Sequence, residues 1–144
     1  MVDKNRLKLS NPNINKVREP YILIAGCGTG QHSIGTAARF KNSKVIAVDL
    51  SLSSLAYAER KTKELGIQNI EYMQADLLNL RKLNIKFDII ESMGVMHHLG
   101  DPMEGWRVLT ECLKSDGLMK IGLYSETARK SIVKIGRASC RERV

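Results

Sequence analysis

The sequence lacks the features of a membrane-spanning or metal-binding chain. Its apolar runs are all shorter than the ~20 residues that a transmembrane helix needs, and residues 1–5 are too polar for a signal peptide. The three cysteines, Cys27, Cys112 and Cys140, do not have the spacing of metal ligands. An odd, scattered set of cysteines is typical of a reducing compartment. We therefore expect no metal site, no membrane contact and a cytoplasmic location.

Aromatic residues are also few, at 5% of the chain, and the positive charge is concentrated at the two ends. The formal net charge is +8, but residues 1–19 hold five basic and two acidic side chains, and residues 137–144 hold three arginines and one glutamate. Residues 20–136 carry fifteen basic against twelve acidic side chains. A nucleic-acid-binding domain concentrates basic residues on one surface, often with aromatic side chains among them. The composition therefore does not favour a nucleic acid partner.

Internal repeats and low-complexity tracts are absent too, and 144 residues suffice for one domain. Residues 1–20 are polar and have no apolar period, which predicts either an arm or linker from an upstream part or a disordered terminus. Residues 136–144 also lack a periodic pattern, and we interpret them as a non-native tail. The predicted domain covers residues 21–135 and is incomplete, for a reason given below.

The sequence does contain a short apolar run that breaks into closely spaced glycines. Residues 21–25 are typical of a buried parallel strand, and Gly26, Gly28 and Gly30 follow before a helical pattern begins at Gln31. Strand, glycine turn and helix in this order bring backbone N–H groups close to a ligand. A Cβ atom would block either the tight turn or the close approach. Alone, this pattern is only weak evidence for a ligand-binding site.

A second predicted strand strengthens the signal because of the residue at its end. Residues 44–48 form this strand, which is apolar from Val45 onward, and Asp49 follows it, 23 positions after Gly26. An acidic side chain at that strand end can accept hydrogen bonds from the two hydroxyls of a ribose. The glycine turn and Asp49 together predict a site for a cofactor that contains a nucleoside.

The rest of the chain alternates between strand and helix patterns, which indicates an α/β fold with a parallel sheet and helices on both faces. The further predicted elements are a helix from Ser51 to about Leu65, a strand over 69–74, a short connection over 77–86, a strand over 87–92, a helix from Asp101, a strand over 118–124 and a helix from Ser125.

The helix near Asp101 has the clearest start of any element. Asp101 can cap it, Pro102 fits its first turn, and Glu104 completes a capping box. The pair at 116–117, Asp-Gly, predicts a turn into the fifth strand. The side chains predicted to form the buried stripe of this helix are Trp106, Leu109 and Leu113.

The spacing of the glycines bears on the kind of cofactor. A dinucleotide-binding loop has the pattern G-x-G-x-x-G, which places a pyrophosphate at the helix N-terminus. Here the pattern is G-x-G-x-G, and Gln31 stands where the dinucleotide pattern has its third glycine. A nicotinamide-dependent oxidoreductase domain is therefore an alternative rather than the first hypothesis.

Six segments in order give a more specific identification, because together they resemble the class I S-adenosylmethionine-dependent methyltransferases. The resemblance covers residues 21–124 and implies a Rossmann-like, doubly wound, mostly parallel sheet. It also implies a final antiparallel strand pair that is absent here, so the domain is interpreted as truncated at its C-terminus. The segments are Ala25-Gly26-Cys27-Gly28-Thr29-Gly30, Val48-Asp49-Leu50-Ser51, Gln74-Ala75-Asp76-Leu77, Phe87-Asp88-Ile89-Ile90, Gly94-Val95-Met96-His97-His98-Leu99 and Leu113-Lys114-Ser115-Asp116-Gly117-Leu118.

The resemblance implies a cofactor role for residues at the strand ends. Asp49 would bind the ribose hydroxyls, and Leu50 would pack on the adenine. Asp76 would accept a hydrogen bond from the adenine amino group, with Ala75 or Leu77 donating a backbone N–H nearby. The other residues implied to contact the cofactor lie in the glycine loop and at the end of the fourth strand: Gly26, Cys27, Gly28, Gly30, Ser92 and Met93.

Two residues are candidates for chemistry. Glu91 could hold the amino group of the methionine or act on the substrate. A neighbouring histidine pair resembles the segment after the fourth strand in many small-molecule methyltransferases, and one imidazole could be a general base. We choose His97 because it lies closer to that strand, with a structural role as the alternative. Cys27 is interpreted as a small packing residue, since methyl transfer of this kind needs no cysteine nucleophile.

The acceptor stays open at this point. The sequence has no Asn/Asp-Pro-Pro-Tyr segment, which argues against the amino-group DNA methylases. The acceptor could be a small molecule or a protein side chain. Some domains of this kind occur beside tetratricopeptide repeats, so a tethered region of that type is a possible partner. A nucleoside-binding module that has lost catalysis and regulates a partner is the alternative from a different functional class.

Overall fold

The computed structural model describes residues 17–124, which form five strands and three α-helices. Two short 3₁₀ helices, Leu77–Leu83 and Met96–His98, complete the regular structure. The strands are β1 (Tyr21–Ala25), β2 (Lys44–Asp49), β3 (Ile70–Gln74), β4 (Phe87–Met93) and β5 (Leu113–Gly122). The helices are α1 (Gln31–Arg39), α2 (Leu52–Glu64) and α3 (Pro102–Cys112). The predicted helix from Ser125, the tail over 136–144 and most of the arm over 1–20 lie outside the described residues.

The five strands form one parallel sheet in the order β3-β2-β1-β4-β5. The predicted α/β class and parallel sheet are therefore confirmed. The chain leaves β1 in one direction to build β2 and β3, and later returns to the other side of β1 with β4. This reversal of strand order opens a crevice at the carboxyl ends of β1 and β4, where ligands bind in open α/β sheets.

Alternate side chains of β1 are buried on opposite faces of the sheet. Leu23 and Ala25 pack with the layer formed by α3 and the 3₁₀ helix Leu77–Leu83. Ile22 and Ile24 pack with the layer formed by α1 and α2. Because both faces are covered, β1 reads as a continuous apolar run instead of an alternating one. Full burial of each aliphatic side chain contributes about 1.5–3 kcal/mol.

Capping side chains fix where the helices begin. The Ser51 hydroxyl accepts a hydrogen bond from Ser54 N at 3.2 Å, and the Asp101 carboxylate accepts one from Met103 N at 2.9 Å. Both caps were predicted from the sequence. Gly66 follows α2 with a φ of 67°, a left-handed conformation that ends a helix readily.

The predicted buried stripe of α3 is right for Leu109 and wrong for Trp106 and Leu113. Trp106 is 41% exposed, and Leu113 belongs to β5. The buried positions are shifted by one residue and have the spacing i, i+3, i+4 and i+7: Gly105, Val108, Leu109 and Cys112. Gly105 is on the buried side of the helix, where a Cβ atom would contact the Leu99 side chain.

The fifth strand also begins earlier than residue 118. It follows α3 directly at Leu113, and its pairing with β4 shifts between Phe87–Leu113 and Ile89–Leu118. The extra residues, Ser115 to Gly117 among them, form a bulge instead of the predicted turn. A Cβ atom on Gly117 would lie 3.0 Å from Asp88 O, which explains the glycine in this bulge.

Asp88 ties three strands together at the end of the sheet opposite the crevice. Its carboxylate accepts a hydrogen bond from Tyr21 N of β1 at 2.8 Å. Both of its oxygens lie 2.9 Å from Lys114 Nζ of β5. The carboxylate is therefore engaged in holding the strands in place, and it lies away from the carboxyl ends that form the site.

Candidate functional site

A cavity of about 930 Å³ opens at the carboxyl ends of β1, β2 and β4. Its walls come from the glycine loop, from the chain after β2 and β3, from one side of α1, and from the segment that follows β4. The predicted site residues on its wall are Gly26, Cys27, Gly28, Asp49, Leu50, Ala75, Asp76, Leu77, Glu91 and Met93. Gly30, Ser92 and His97 do not line it.

The glycine loop is held by backbone hydrogen bonds to the neighbouring strand. Gly26 N and Cys27 N both donate to Val48 O, at 2.8 and 2.9 Å, and Gly30 N donates to Cys27 O at 3.0 Å. Gly26, Gly28 and Gly30 all have positive φ angles, of 79°, 52° and 89°. Residues with a side chain rarely adopt this conformation, which is why the loop needs glycine at alternate positions.

The three glycines differ in what a side chain would meet. A Cβ atom on Gly26 would lie 2.2 Å from Val95 Cγ2, and one on Gly30 would lie 2.6 Å from Ala58 Cβ. A Cβ atom on Gly28 would meet nothing within 4 Å. Gly26 and Gly30 are thus required by protein packing, whereas the space beside Gly28 is open and belongs to the cavity wall.

The Asp49 carboxylate connects the end of β2 to the glycine loop. Its Oδ2 accepts a hydrogen bond from Gly28 N at 2.7 Å, and its Oδ1 accepts one from Ser51 N at 2.9 Å. A carboxylate has about four acceptor positions, so two remain for donors on a ligand. Asp49 therefore both orders the loop and presents an anionic group to the cavity.

The wall beyond Asp49 combines apolar surface with a second carboxylate. Leu50 is 65% exposed, a high value for a leucine that lines a cavity, while Leu77 is buried. The Asp76 carboxylate accepts from Leu78 N at 2.9 Å and so caps the 3₁₀ helix Leu77–Leu83. The structure thus brings Leu50, Ala75, Asp76 and Leu77 to one side of the cavity, as the sequence predicted.

The end of β4 divides its side chains between the core and the cavity. Ser92 is fully buried, and its hydroxyl donates to Ala25 O at 3.0 Å, which joins β4 to β1. Met93 is 41% exposed and lines the cavity. A role for Ser92 at the methionine end of the cofactor stays a prediction, and it would have to act through its backbone.

Glu91 lies at the centre of a polar cluster that sequence reasoning did not find. Thr36 Oγ1 donates to Glu91 Oε2 at 2.9 Å, and His32 Nε2 lies 2.9 Å from the same oxygen. Lys120 Nζ lies 3.9 Å from Glu91 Oε1. The Glu91 side chain is only 13% exposed, so these contacts are partly shielded from water.

The signal for this cluster is present in the sequence of α1. His32, Gly35, Thr36 and Arg39 have the spacing i, i+3, i+4 and i+7, and all four line the cavity. They form a polar stripe beside the buried stripe of the same helix. The stripe could have been found from the spacing, but nothing in the sequence alone paired it with Glu91.

The adjacent histidines have different surroundings. His98 lines the cavity, whereas the ring of His97 packs between the rings of His98 and Tyr124, with centroid distances of 4.1 Å to each. The general-base role of His97 stays a prediction.

Cys27 is buried within the glycine loop, 7% exposed. Burial raises the pKa of its thiol, the nearby Asp49 carboxylate raises it further, and together they bring it to about 12. A thiol with that pKa is almost entirely protonated at neutral pH. Cys27 is therefore a poor nucleophile, in agreement with its interpretation as a packing residue.

We expect Cys27 to react with iodoacetamide at pH 8 about 10³-fold more slowly than a free thiol of pKa 9, because its thiolate fraction is lower by that factor. The rate should rise with pH until the pKa is passed. Mass spectrometry of the Cys27 peptide against time measures it. Asp49→Asn should speed the reaction, since it removes one of the two causes of the raised pKa. Alkylation of Cys27 at the rate of a free thiol would contradict the assignment.

Among residues 17–124, no group of three or more histidine, cysteine, aspartate or glutamate side chains could hold a metal ion. In the same part of the chain, none of the helices has the length and apolar character needed to span a membrane.

The family model of the methyltransferase domain matches residues 22–117, from β1 to the bulge of β5, and so includes the whole glycine loop and every residue of the cavity wall except Lys120. The chain belongs to this family. It is a class I S-adenosylmethionine-dependent methyltransferase domain by sequence, as the six segments predicted.

Curated relatives of this methyltransferase domain are longer proteins. An uncharacterized protein of Synechococcus sp. is 35% identical over 114 residues, which are 78% of this chain and 27% of that protein. The (S)-coclaurine N-methyltransferase of Thalictrum flavum is 29% identical over 98 residues, which are 68% of this chain and 27% of that enzyme. The chain thus spans about a quarter of the length of these two relatives.

A solved structure with the same fold contains a ligand. The crystal structure of coclaurine N-methyltransferase bound to N-methylheliamine and SAH (S-adenosylhomocysteine) matches with a TM-score of 0.66 and 26% identity, over 72% of this chain and 30% of that one. The likeness supports the Rossmann-like, doubly wound fold that the sequence predicted for the methyltransferase domain.

Proposed function

We propose that the methyltransferase domain binds S-adenosylmethionine in the cavity at the carboxyl ends of β1, β2 and β4, and that it serves methyl transfer to an acceptor. One observation carries the proposal: a loop of three left-handed glycines is hydrogen-bonded to the Asp49 carboxylate, and the loop and Asp49 together line a cavity at the switch point of the sheet. The family match and the SAH in a related crystal structure support it.

The residues on the wall fit this cofactor by their chemistry. Asp49 has free acceptor positions for the ribose hydroxyls, and the open space at Gly28 allows a ligand to approach the backbone. Leu50 offers an exposed apolar side chain to the adenine, and Asp76 offers a carboxylate to its amino group. Glu91 supplies a shielded negative charge for the ammonium of the methionine part.

Catalysis by such a site depends mainly on alignment. The bound sulfonium supplies an already activated methyl group. The protein has to hold the acceptor in line with the methyl carbon and the sulfur, and to exclude water. The buried contacts of the glycine loop and of Glu91 keep these walls rigid, which favours that alignment.

The acceptor cannot be carried over from the relatives, because their names differ in this respect. They include an N-methyltransferase of coclaurine, an O-methyltransferase of malonyl-acyl-carrier protein and a methyltransferase of tRNA guanine. We propose a small molecule or a protein side chain, reached in the cytoplasm. A tethered tetratricopeptide-type region stays a prediction.

Calorimetric titration separates the candidate functions. We expect the chain to bind SAH and not NAD, because the loop has the G-x-G-x-G spacing and Gln31 in place of the third dinucleotide glycine. Binding of NAD without competition by SAH would instead favour the nicotinamide-dependent alternative. Binding of SAH with no release of SAH from S-adenosylmethionine in the presence of any acceptor would favour the regulatory module.

A further inference from the structure

The side of the cavity along α1 has a different character from the side around Asp49. The polar stripe of α1 (His32, Gly35, Thr36 and Arg39) forms one wall. Glu91 and Lys120, which are partners in the register of β4 and β5, form the wall that adjoins this stripe. Seven residues separate His32 from Arg39, so the stripe is about 10 Å long at 1.5 Å per residue. We name this part of the cavity the α1 lobe.

Within the α1 lobe, His32 is held by a fixed carboxylate. Glu91 Oε2 accepts from Thr36 Oγ1 and lies 2.9 Å from His32 Nε2, so one side of the imidazole is set against it. The His32 Nε2 atom is buried, and its contact with Glu91 Oε2 is an ion-pair contact without hydrogen-bond geometry, while the side chain as a whole is 38% exposed. His32 is one of the residues that line the cavity. An imidazole oriented by a carboxylate on one nitrogen can accept a proton on the other.

The α1 lobe also carries more positive than negative charge. Arg39 and Lys120 are cationic, and Glu91 is the only carboxylate among the residues described on these two walls. Within residues 17–124, Arg39 has no carboxylate within ion-pair distance, and Lys120 is 3.9 Å from Glu91. Such a surface complements an anionic group on a ligand.

The cavity extends beyond the side that surrounds Asp49. Its volume of about 930 Å³ is near the top of the range of about 300–1,000 Å³ that holds one drug-sized molecule. The nucleoside part of the proposed cofactor would take the side with Asp49, Leu50 and Asp76. The nucleoside part would leave the α1 lobe, next to Glu91, unfilled.

We propose that the α1 lobe is the methyl-acceptor subsite, that it selects an acceptor bearing a carboxylate or phosphate group, and that His32 takes the acceptor's proton. This inference rests on the proposed function and names its substrate class. Arg39 and Lys120 bind the anionic group, and Glu91 orients His32 as a positioning residue.

The transfer step balances with the groups present. The O–H or N–H proton of the acceptor moves to the free ring nitrogen of His32. The lone pair of the acceptor atom forms the bond to the methyl carbon, and the carbon–sulfur bond breaks with its electrons left on sulfur. The sulfonium becomes a neutral thioether, and the imidazolium, stabilised by Glu91, later returns the proton to water. No oxidant or reductant is needed.

The first test asks whether these residues hold the acceptor or the cofactor's own carboxylate. Calorimetry with SAH is done on three proteins: the unaltered chain, the double variant that combines Arg39→Met with Lys120→Met, and the single variant His32→Gln. We expect SAH affinities within about threefold of one another. Weakening of SAH binding by tenfold or more in the double variant would overturn the proposal and assign the two cations to the cofactor. Failure of the unaltered chain to bind SAH would instead overturn the proposed function.

The second test uses the SAH complex and simple anions as probes. The chain has three histidines, so ¹³C-labelled histidine gives three ring signals, and His32→Gln identifies one. Malonate and inorganic phosphate should each move the His32 signal saturably, and dimethyl malonate should not. The double variant should bind these anions about tenfold more weakly or worse. Lys82→Met, which removes an exposed charge outside the cavity, should bind them normally. Equal weakening in Lys82→Met, or no movement of the His32 signal, would refute an anion subsite.

The third test measures turnover as release of SAH, with amino and hydroxy carboxylates, their phosphate counterparts and their neutral methyl esters as acceptors. The anionic acceptors should be used at least tenfold better than the esters. With an accepted substrate, His32→Gln should lower kcat by about 10²–10⁴-fold at unchanged SAH affinity. Preference for the esters would overturn the substrate class, and full turnover by His32→Gln would overturn the base.

Discussion

Asp49→Ala should weaken SAH binding by about 10²-fold or more, the largest effect on SAH affinity that we expect from substituting a polar residue. The carboxylate already accepts hydrogen bonds from Gly28 N and Ser51 N, and it retains acceptor positions for the ribose hydroxyls. Each hydrogen bond to a charged group contributes about 1.5–3 kcal/mol, so the loss of two ribose contacts alone accounts for that factor. Asp49→Ala would also remove the hydrogen bond from Gly28 N that helps to hold the glycine loop in place.

The loss of binding must be separated from a loss of stability. Asp49→Ala leaves two backbone N–H groups without their partner, so its thermal transition should also fall. Asp101→Ala is the matched control, because it removes a carboxylate that caps α3 outside the cavity, at a cost of about 0.5–2 kcal/mol. It should lower stability and leave SAH affinity unchanged. Normal SAH affinity in Asp49→Ala would remove the ribose assignment.

Gly30→Ala should destabilise the fold by about 2–5 kcal/mol, a large share of the 5–15 kcal/mol that stabilises a typical domain. Part of the cost is the left-handed φ of 89°, and part is the contact of the new Cβ with Ala58, 2.6 Å from its Cβ and 3.2 Å from its Cα. Because Cα belongs to the backbone of α2, the helix itself would have to move. Urea unfolding measures the change.

Gly28→Val is the contrasting substitution in the same loop. A Cβ atom there meets nothing within 4 Å, so the folding cost is mainly the conformational strain of about 1–2 kcal/mol. Its side chain would occupy the open space beside the cavity wall, and SAH binding should be abolished in a folded protein. Ala58→Gly should partly restore stability to Gly30→Ala and do nothing for Gly28→Val. A Gly28→Val variant that bound SAH normally would contradict the close-approach argument.

Where the local sequence contains its own physical signal, prediction succeeded. Residues 21–25 and 45–48 are apolar because both faces of the sheet are covered, and each run lies in a predicted strand. Ser51 and Asp101 cap the predicted helices because a side-chain oxygen beside free N–H groups is a local arrangement. The glycine loop and Asp49 meet as predicted, since parallel strands present their carboxyl ends at one edge.

Prediction from the sequence failed, or gave no result, where a structural feature depends on contacts between segments that are distant in the chain. Trp106 looked like a core residue by hydropathy, but α3 packs with Gly105 toward Leu99 and leaves Trp106 41% exposed. The Asp116–Gly117 pair looked like a turn, but pairing with β4 made it part of a bulge. Each case was decided by packing against a neighbour that the local pattern does not contain.

The sequence by itself determined the alternation of strands and helices, the glycine loop, Asp49 at a strand end and the family, because these depend on residue type and order along the chain. Only the tertiary structure decided that His32 and Thr36 meet Glu91, with Lys120 beside them. Glu91 is more than fifty positions from His32 in the sequence, and the two become neighbours because α1 packs on the face of the sheet where β4 lies next to β1. A contact of that kind arises from strand order, which no single segment specifies.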